Sequence, residues 1–243
     1  MSSRLSFSST APAPLDLPTV SFFGRTLAEY AQFFSLDPAA LRGRAVLDVA
    51  AGPASFTAEA CELGVDAVAV DPLYGCLAHT LATQVQLDHA KMFGQMRAKP
   101  QLLRLRSFPS IDAAELDRRA AARRFLADYE AHFTHGRYVG ARLPTLPIFD
   151  GAFDLVLCAH LLFVYARTFD LSWHVAACRE LVRVSEGEVC IHPVCGADGW
   201  SYPELAALRA ELAESGIASE VVAVNYEFFV GSGSMLVVKK TSS

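Results

Sequence analysis

Residues 44–56, which read RAVLDVAAGPASF, decide the fold. Arg44–Val49 is a short apolar run, as expected of a strand that is buried on both faces of a parallel sheet. The small residues that follow lead into Ser55–Leu63, which has the pattern of a helix capped by Ser55 or a neighbour and ended by Gly64. The stretch therefore predicts a strand, a tight loop and a helix.

Strand character resumes at Ala67–Val70, and Asp71 closes that strand. Two parallel strands joined by a helix form a unit whose crossover is right-handed. This handedness places the loop after Val49 and the carboxylate of Asp71 at the same edge of the sheet, where α/β proteins bind ligands.

The alternation of strands and helices continues to the end of the chain. A connection between two strands of such a sheet is usually much shorter than residues 73–136. We therefore expect this region to hold a helical insertion in addition to one crossover helix. The last two β-rich runs flank Gly231-Ser232-Gly233, which predicts a hairpin and an antiparallel end to the sheet. The expected later elements are strands at Tyr138–Leu143, Phe153–Cys158, Glu188–His192, Glu220–Val230 and Ser234–Lys239, and a helix at Ser172–Val184.

These elements predict an α/β fold with a doubly wound, seven-stranded, mostly parallel sheet and a C-terminal antiparallel hairpin. We expect three parts: a flexible leader at 1–18, rich in Ser, Ala and Pro; an N-terminal helical cover at 19–42; and the main domain at 43–243, with a helical insertion at about 93–135.

Composition limits the classes of protein to which the chain can belong. Of its 243 residues, 52% are apolar, enough for a sizeable core. We expect a cytoplasmic protein with no membrane partner, because the chain has neither a secretory signal pattern nor a membrane-spanning run. Six cysteines without a C-x-x-C pair argue against zinc and disulfides, and we expect no metal site.

The net charge of −5 gives no general attraction to nucleic acid, yet one segment is locally basic. Its basic residues outnumber its acids, and the segment is either a solvated helix face or a contact for an acidic substrate or RNA. Within 91–124 the basic residues are Lys91, Arg97, Lys99, Arg104, Arg106, Arg118, Arg119, Arg123 and Arg124, and the acids are Asp112, Glu115 and Asp117.

The loop at 50–54 and Asp71 are the residues most suggestive of a binding site. Small loop residues let a ligand approach the backbone, although loops of this kind also occur for purely structural reasons. An acid at the end of the second strand can accept both hydroxyl hydrogens of a ribose.

Taken together, residues 44–240 resemble the class I S-adenosylmethionine-dependent methyltransferases. The strand Phe153–Val156 with its Leu143-Pro144 and Asp150-Gly151 lead-in, and the terminal antiparallel pair, are also similar to that family. The resemblance implies S-adenosylmethionine as cofactor, with its methionine part near Asp48, Ala50 and Gly52 and its ribose at Asp71. The other residues of the implied cofactor site are Ala51, Pro53, Pro72, Leu73, Cys158, Arg142 and Leu143.

This sequence departs from the family pattern at two places. The first loop has Ala50, Gly52 and Ala54 where the family has three glycines. Arg142 and Leu143 stand where the family often has an acid for the adenine amine, so we expect packing and backbone groups to hold the adenine.

Phe22–Phe34 has the pattern of an aromatic-rich amphipathic helix, which must pack on the core. In related methyltransferases such a helix covers the cofactor, which would let Arg25 or Tyr30 reach the cofactor carboxylate. The alternative is a helix that only adds to the core.

His160 follows a central strand at its carboxyl end and is the candidate general base. It could equally be a core residue, and Tyr165, His174 and His192 could also line an acceptor pocket. The strand exit lacks the signatures of amino-purine and cytosine-carbon methylation, so the expected acceptor is a small molecule. A protein side chain, or RNA reached through 91–124, remains possible.

Two other functions compete with methyl transfer. A nicotinamide (NAD)-dependent oxidoreductase shares the strand–helix–strand unit and the acid, although the terminal hairpin and the few loop glycines count against it. A non-catalytic S-adenosylmethionine-binding protein is the second alternative, because methyl transfer requires few obligatory residues.

Overall fold

The computed structural model describes residues 14–241, and the first thirteen residues of the predicted leader lie outside this range. Seven strands form one sheet in the order β3-β2-β1-β4-β5-β7-β6. The first five in chain order are parallel, whereas β7 runs antiparallel to β5 and β6 antiparallel to β7. The strands are β1 (Ala45–Val49), β2 (Asp66–Asp71), β3 (Tyr138–Gly140), β4 (Phe153–Ala159), β5 (Ser185–His192), β6 (Ile217–Ala223) and β7 (Ser234–Lys240).

Helices cover both faces of the sheet because alternate residues of the central strands point to opposite sides. Val46 and Leu157 pack toward α1, α2 and α3, whereas Leu47 and Val156 pack toward α5 and α6. The α-helices are α1 (Leu27–Phe33), α2 (Phe56–Glu62), α3 (Ala78–Ala98), α4 (Ile111–His132), α5 (Leu171–Val184) and α6 (Leu205–Glu214). The predicted fold class is confirmed.

Two predicted elements are wrong in their extent. The helix expected at Phe22–Phe34 is only Leu27–Phe33, since Thr26 caps it. The residues before Thr26 do not continue the helix, because the Arg25 carbonyl accepts a hydrogen bond from the Ser55 amide at 3.0 Å. The strand expected at Glu220–Val230 ends at Ala223, and a long loop over 224–233 replaces the tight hairpin.

The region 73–136 holds two long helices, α3 and α4, which pack against each other, and the insertion predicted from about 93 begins inside α3. The third strand is shorter than expected, so Arg142 and Leu143 lie beyond its end. Within residues 14–241, no helix has both the length and the apolar character needed to span a membrane.

Candidate active site

The strand order reverses between β1 and β4, and the loops after the carboxyl ends of β1, β2 and β4 surround a cleft there. This is the position at which doubly wound sheets bind ligands. The loop after β1 turns sharply, because both Ala50 and Gly52 have positive φ, 59° and 56°. The Ala51 amide donates to the carbonyl of Val70 at 3.1 Å, which joins this loop to the end of β2.

Asp71 lies at that end of β2, against the same loop. Its carboxylate accepts the amides of Gly52 at 3.1 Å and Leu73 at 2.9 Å. Burial raises the pKa of Asp71 to about 6, although the two N–H donors oppose the shift. The first loop and Asp71 therefore lie in contact, at the same edge of the sheet, as the sequence predicts.

Asp48 is buried beneath the loop and does not face the cleft. Both of its carboxylate oxygens accept the Tyr30 hydroxyl, at 2.9 and 3.1 Å. Burial raises the pKa of Asp48 well above its ordinary value, and the Tyr30 hydrogen bond opposes this. Asp48 thus fixes Tyr30, which does line the cleft.

Residues 14–25 form a segment without helix or strand, here named the strap, that lines the cleft. The Ser21 amide donates to the Tyr165 hydroxyl at 2.9 Å, and the Phe22 amide donates to Asp88 at 2.7 Å. Gly24 lies so close to the first loop that a Cβ there would stand 2.1 Å from the Pro53 carbonyl carbon. The strap therefore closes over the loop after β1.

Under the strap lie two neighbouring spaces, a narrow inner chamber and a wider side pocket. Val20, Ser21, Ala50, Asp71 and Leu161 line both, so the two spaces adjoin within the cleft. The inner chamber is also lined by Leu15, Leu17, Phe23, Gly24, Arg25, Tyr30, Ala51, Gly52, Met92, Met96, Ala159, His160, Val164, Tyr165, Ala197, Phe228 and Phe229. The side pocket is also lined by Thr19, Phe22, Val49, Pro72, Leu73, Gln84, Ala141, Arg142, Leu143, Phe169 and Trp173.

Arg25 is the cation of the inner chamber. Its Nη1 donates to the Phe23 carbonyl at 3.2 Å, and its buried Nε has no partner among the described residues. No described carboxylate lies within 4.0 Å of its guanidinium. Burial lowers the pKa of Arg25, yet a guanidinium stays charged at neutral pH. The chamber thus presents an uncompensated positive charge.

His160 leaves β4 with a positive φ of 56°, and its amide donates to the His192 carbonyl at 2.6 Å. This turn places His160 on the wall of the inner chamber, and its two ring nitrogens are buried without a partner among residues 14–241. Burial, then Arg25, His192 and Arg118, lower the pKa of His160 well below its ordinary value. The ring is therefore neutral, with a free lone pair.

The other sequence-predicted residues separate into two groups. Pro53 packs on the strap and Cys158 is in the core, and neither lines the cleft. His174 is held between the carbonyls of Asp170 and Leu162, and His192 Nε2 lies 2.8 Å from the Ser232 carbonyl. These histidines are structural, whereas Ala50, Ala51, Gly52, Pro72, Leu73, Arg142, Leu143, Arg25, Tyr30, Tyr165 and His160 line the cleft.

Sequence reasoning missed the apolar wall of the inner chamber. Met92 and Met96 lie one helical turn apart on α3, a spacing that the sequence shows. Phe228 and Phe229 were placed in a strand, and only the loop that follows β6 brings them to the chamber.

Five of the nine basic residues in segment 91–124 form ion pairs with described residues. Arg97 pairs with Asp112 and Glu115, and Arg119 also pairs with Glu115. The interpretation of this segment as a solvated helix face is wrong at Arg118, which is fully buried and pairs with Glu29. The segment therefore presents less free positive charge than its sequence indicates.

No family model matches the chain. An uncharacterized protein of Methanocaldococcus jannaschii is 25% identical over 227 residues, which cover 93% of this chain and 99% of that protein. Among solved structures, magnesium protoporphyrin IX methyltransferase of Synechocystis with bound SAM is 12% identical, with a TM-score of 0.45 over 88% of this chain and 76% of that one. A TehB-like SAM-dependent methyltransferase of Corynebacterium glutamicum is 17% identical, with a TM-score of 0.45 over 88% and 98%. Identities and TM-scores of this size assign neither an activity nor the role of any residue to this chain.

Proposed function

We propose that this chain binds S-adenosylmethionine in the cleft and transfers its methyl group to a small-molecule acceptor. The observation that carries the proposal is the placement of two charged groups: the Asp71 carboxylate lies on the wall that the two spaces share, and the Arg25 guanidinium lines the inner chamber. A ribose diol and an amino-acid carboxylate are the two groups that such a pair suits. The resemblance of residues 44–240 to class I methyltransferases supports the same ligand.

Each end of the cleft suits one part of this cofactor. Asp71 uses part of its acceptor capacity on two amides and keeps lone pairs for hydroxyl donors. Arg25 would hold the methionine carboxylate. Leu73, Leu143 and Trp173 give the side pocket apolar and aromatic walls, which suit an adenine ring.

When bound, S-adenosylmethionine would supply a methyl group made electrophilic by its sulfonium. The protein must then exclude water and position the acceptor. The strap and the apolar chamber wall perform the first task. His160 would accept the proton that a hydroxyl or amine acceptor releases, because its neutral ring has an unused nitrogen.

Two observations favour a small acceptor. The inner chamber lies beneath the strap and is lined largely by apolar side chains, including Met92, Phe228 and Phe229. The basic segment that RNA would need is mostly occupied by internal ion pairs.

Calorimetric titration with S-adenosylhomocysteine (SAH), the cofactor product, and with NAD tests the proposal. We expect SAH to bind and NAD not to bind. Asp71→Ala and Asp71→Asn should weaken SAH on the order of 100-fold, because hydrogen bonds to a charged group are each worth about 1.5–3 kcal/mol. Asp66→Ala, at the exposed start of the same strand, is the matched control and should bind normally.

Circular dichroism of each variant separates lost binding from lost folding. NAD binding without SAH binding, or undiminished SAH affinity in folded Asp71 variants, would refute the proposed site. If SAH binds but no methyl transfer occurs over a panel of acceptors, the protein is a non-catalytic binder.

A further inference from the structure

A third space, here named the outer groove, adjoins the inner chamber. It is lined by the strap at 14–18, by the residues at 163–168 that follow β4 and by the loop at 196–204 that follows β5.

The outer groove and the inner chamber share five wall residues, Leu15, Leu17, Val164, Tyr165 and Ala197. The outer groove shares none with the side pocket. The three spaces are therefore arranged in sequence, with the inner chamber in the middle. A cofactor that spans the side pocket and the near part of the chamber leaves the far part of the chamber and the outer groove to the acceptor.

The two spaces left to the acceptor differ in chemistry. The inner chamber is lined largely by apolar side chains, among them Met92, Met96 and Phe229, and His160 lies on the same wall. The outer groove carries the carboxylates of Asp16, Asp198 and Glu204. Arg167 is its cationic wall residue, and the Arg167 guanidinium lies 3.5 Å from the Asp198 carboxylate.

Trp200 is the second feature of the outer groove. The residue is 68% exposed and lines the groove. An exposed indole face beside carboxylates attracts organic cations, because the ring quadrupole and the carboxylates act in the same direction.

We propose that the methyl acceptor is an elongated molecule with an apolar reacting end in the inner chamber and a cationic distal end in the outer groove, against Trp200. The inference rests on the proposed function, since the cofactor defines which part of the cleft is left. It follows that acceptors with an anionic distal end are rejected.

The two tryptophans of the chain provide separate reporters. Trp173 lines the side pocket, and Trp200 lines the outer groove. In the Trp200→Phe variant, Trp173 remains and reports on the cofactor. In the Trp173→Phe variant, Trp200 remains and reports on the distal end of the acceptor. SAH should change the emission of Trp173 in the first variant, whether or not the acceptor inference holds.

The probes are para-linked hydroxybiphenyls with an aminomethyl, a methyl or a carboxylate group at the far end. With SAH at a concentration that calorimetry shows to saturate the Trp173→Phe protein, the aminomethyl probe should change the emission of Trp200 in that variant. In calorimetry it should bind about fivefold tighter than the carboxylate probe, the scale expected of partly screened charges. Replacing the groove carboxylates, Asp198→Asn with Glu204→Gln, should remove this preference.

Trp200→Ala should weaken the aminomethyl probe, whereas Phe149→Ala, which removes an aromatic ring that is 89% exposed outside all three spaces, should not. Equal affinity for the cationic and anionic probes, or a silent Trp200 while Trp173 responds to SAH, would overturn this inference alone. A silent Trp173 with no SAH binding would overturn the proposed function instead.

Discussion

Arg25 shows how one side chain can distinguish between parts of a ligand. Its guanidinium lines the inner chamber without a described carboxylate partner, whereas Asp71 is shared with the side pocket. If Arg25 holds the methionine carboxylate, its removal should affect only ligands that carry that group. A residue that merely supports the fold would affect all adenosyl ligands alike.

We therefore expect Arg25→Met to weaken SAH about 10-fold to 100-fold and to leave methylthioadenosine, which lacks the amino-acid carboxylate, within about twofold. Calorimetry with both ligands measures the difference. Arg42→Met, at an exposed arginine, serves as the control. Equal loss of both ligands would show that Arg25 acts through the fold.

Asp71 makes stability depend on pH in a direction that can be predicted. Its pKa is raised from an ordinary 3.8 to about 6, so the folded protein binds this proton more tightly than the unfolded chain does. The stabilising contribution of protonated Asp71 is complete below about pH 4 and is lost as the pH rises through about 6.

The free energy of unfolding of the wild type should accordingly fall relative to Asp71→Asn, which cannot ionise, by on the order of 3 kcal/mol between about pH 4 and pH 7. Urea denaturation at several pH values measures this difference. Saturating SAH should reduce it, because ribose hydroxyls favour the ionised carboxylate. A difference that does not vary with pH would contradict the assigned environment.

At the scale of elements, a buried ion pair joins α1, α4 and the loop after β6. Arg118 on α4 is fully buried and pairs with Glu29 on α1, which also accepts the Tyr226 hydroxyl at 2.6 Å. The guanidinium lies over the rings of Phe23, Phe108 and Phe228, at 4.9 Å from the last. Burial lowers the pKa of Arg118 to about 10, so it remains charged at neutral pH.

Arg118→Met should therefore destabilise the fold by about 3–5 kcal/mol, because it leaves the Glu29 carboxylate buried without its cation. Arg123→Met, at an exposed position on the same helix, should change stability by less than about 0.5 kcal/mol. Adding Glu29→Met to Arg118→Met should recover part of the loss in urea denaturation. A double variant no better than the single one would show that the charge is not the cause.

The same cluster explains why some elements could not be predicted. The β1–α2–β2 unit follows from local apolar periodicity, and its bounds are within about two residues of the expected ones. The run at 224–230 has strand composition, yet Tyr226 and Phe228 pack on Glu29 and Arg118, which are distant in sequence. Likewise, the predicted helix at Phe22–Phe34 begins only at Leu27, because the Arg25 carbonyl accepts the amide of Ser55, which is distant in sequence. Tertiary contacts of this kind leave no local pattern.

The site was predictable to a similar degree. Asp71 and the loop after β1 stand where the order of strands requires, so the sequence was sufficient to bring them together. The sequence does not show that Asp48 bonds the Tyr30 hydroxyl or that His174 bonds the Leu162 carbonyl. These hydrogen bonds join residues that only the assembled fold brings together.

For the whole molecule, the strap is the part that connects all three spaces of the cleft. Leu15 and Leu17 line the inner chamber and the outer groove, and Val20 and Ser21 line the inner chamber and the side pocket. The strap therefore forms part of the wall of every space in which a ligand could lie. Gly24 sets how closely the strap approaches the first loop.

Gly24→Ala should lift the strap, because the new Cβ would meet the Pro53–Ala54 peptide at 2.1–2.3 Å, and neither backbone can yield easily. We expect faster hydrogen exchange at the Ser21 and Phe22 amides and faster SAH release, while the amides within β4 keep their protection. Gly94→Ala is the control, since its Cβ meets nothing within 4 Å on α3 and should stabilise the helix by about 1 kcal/mol. Unchanged exchange at Ser21 and Phe22 in a folded Gly24→Ala protein would show that the strap does not depend on this contact.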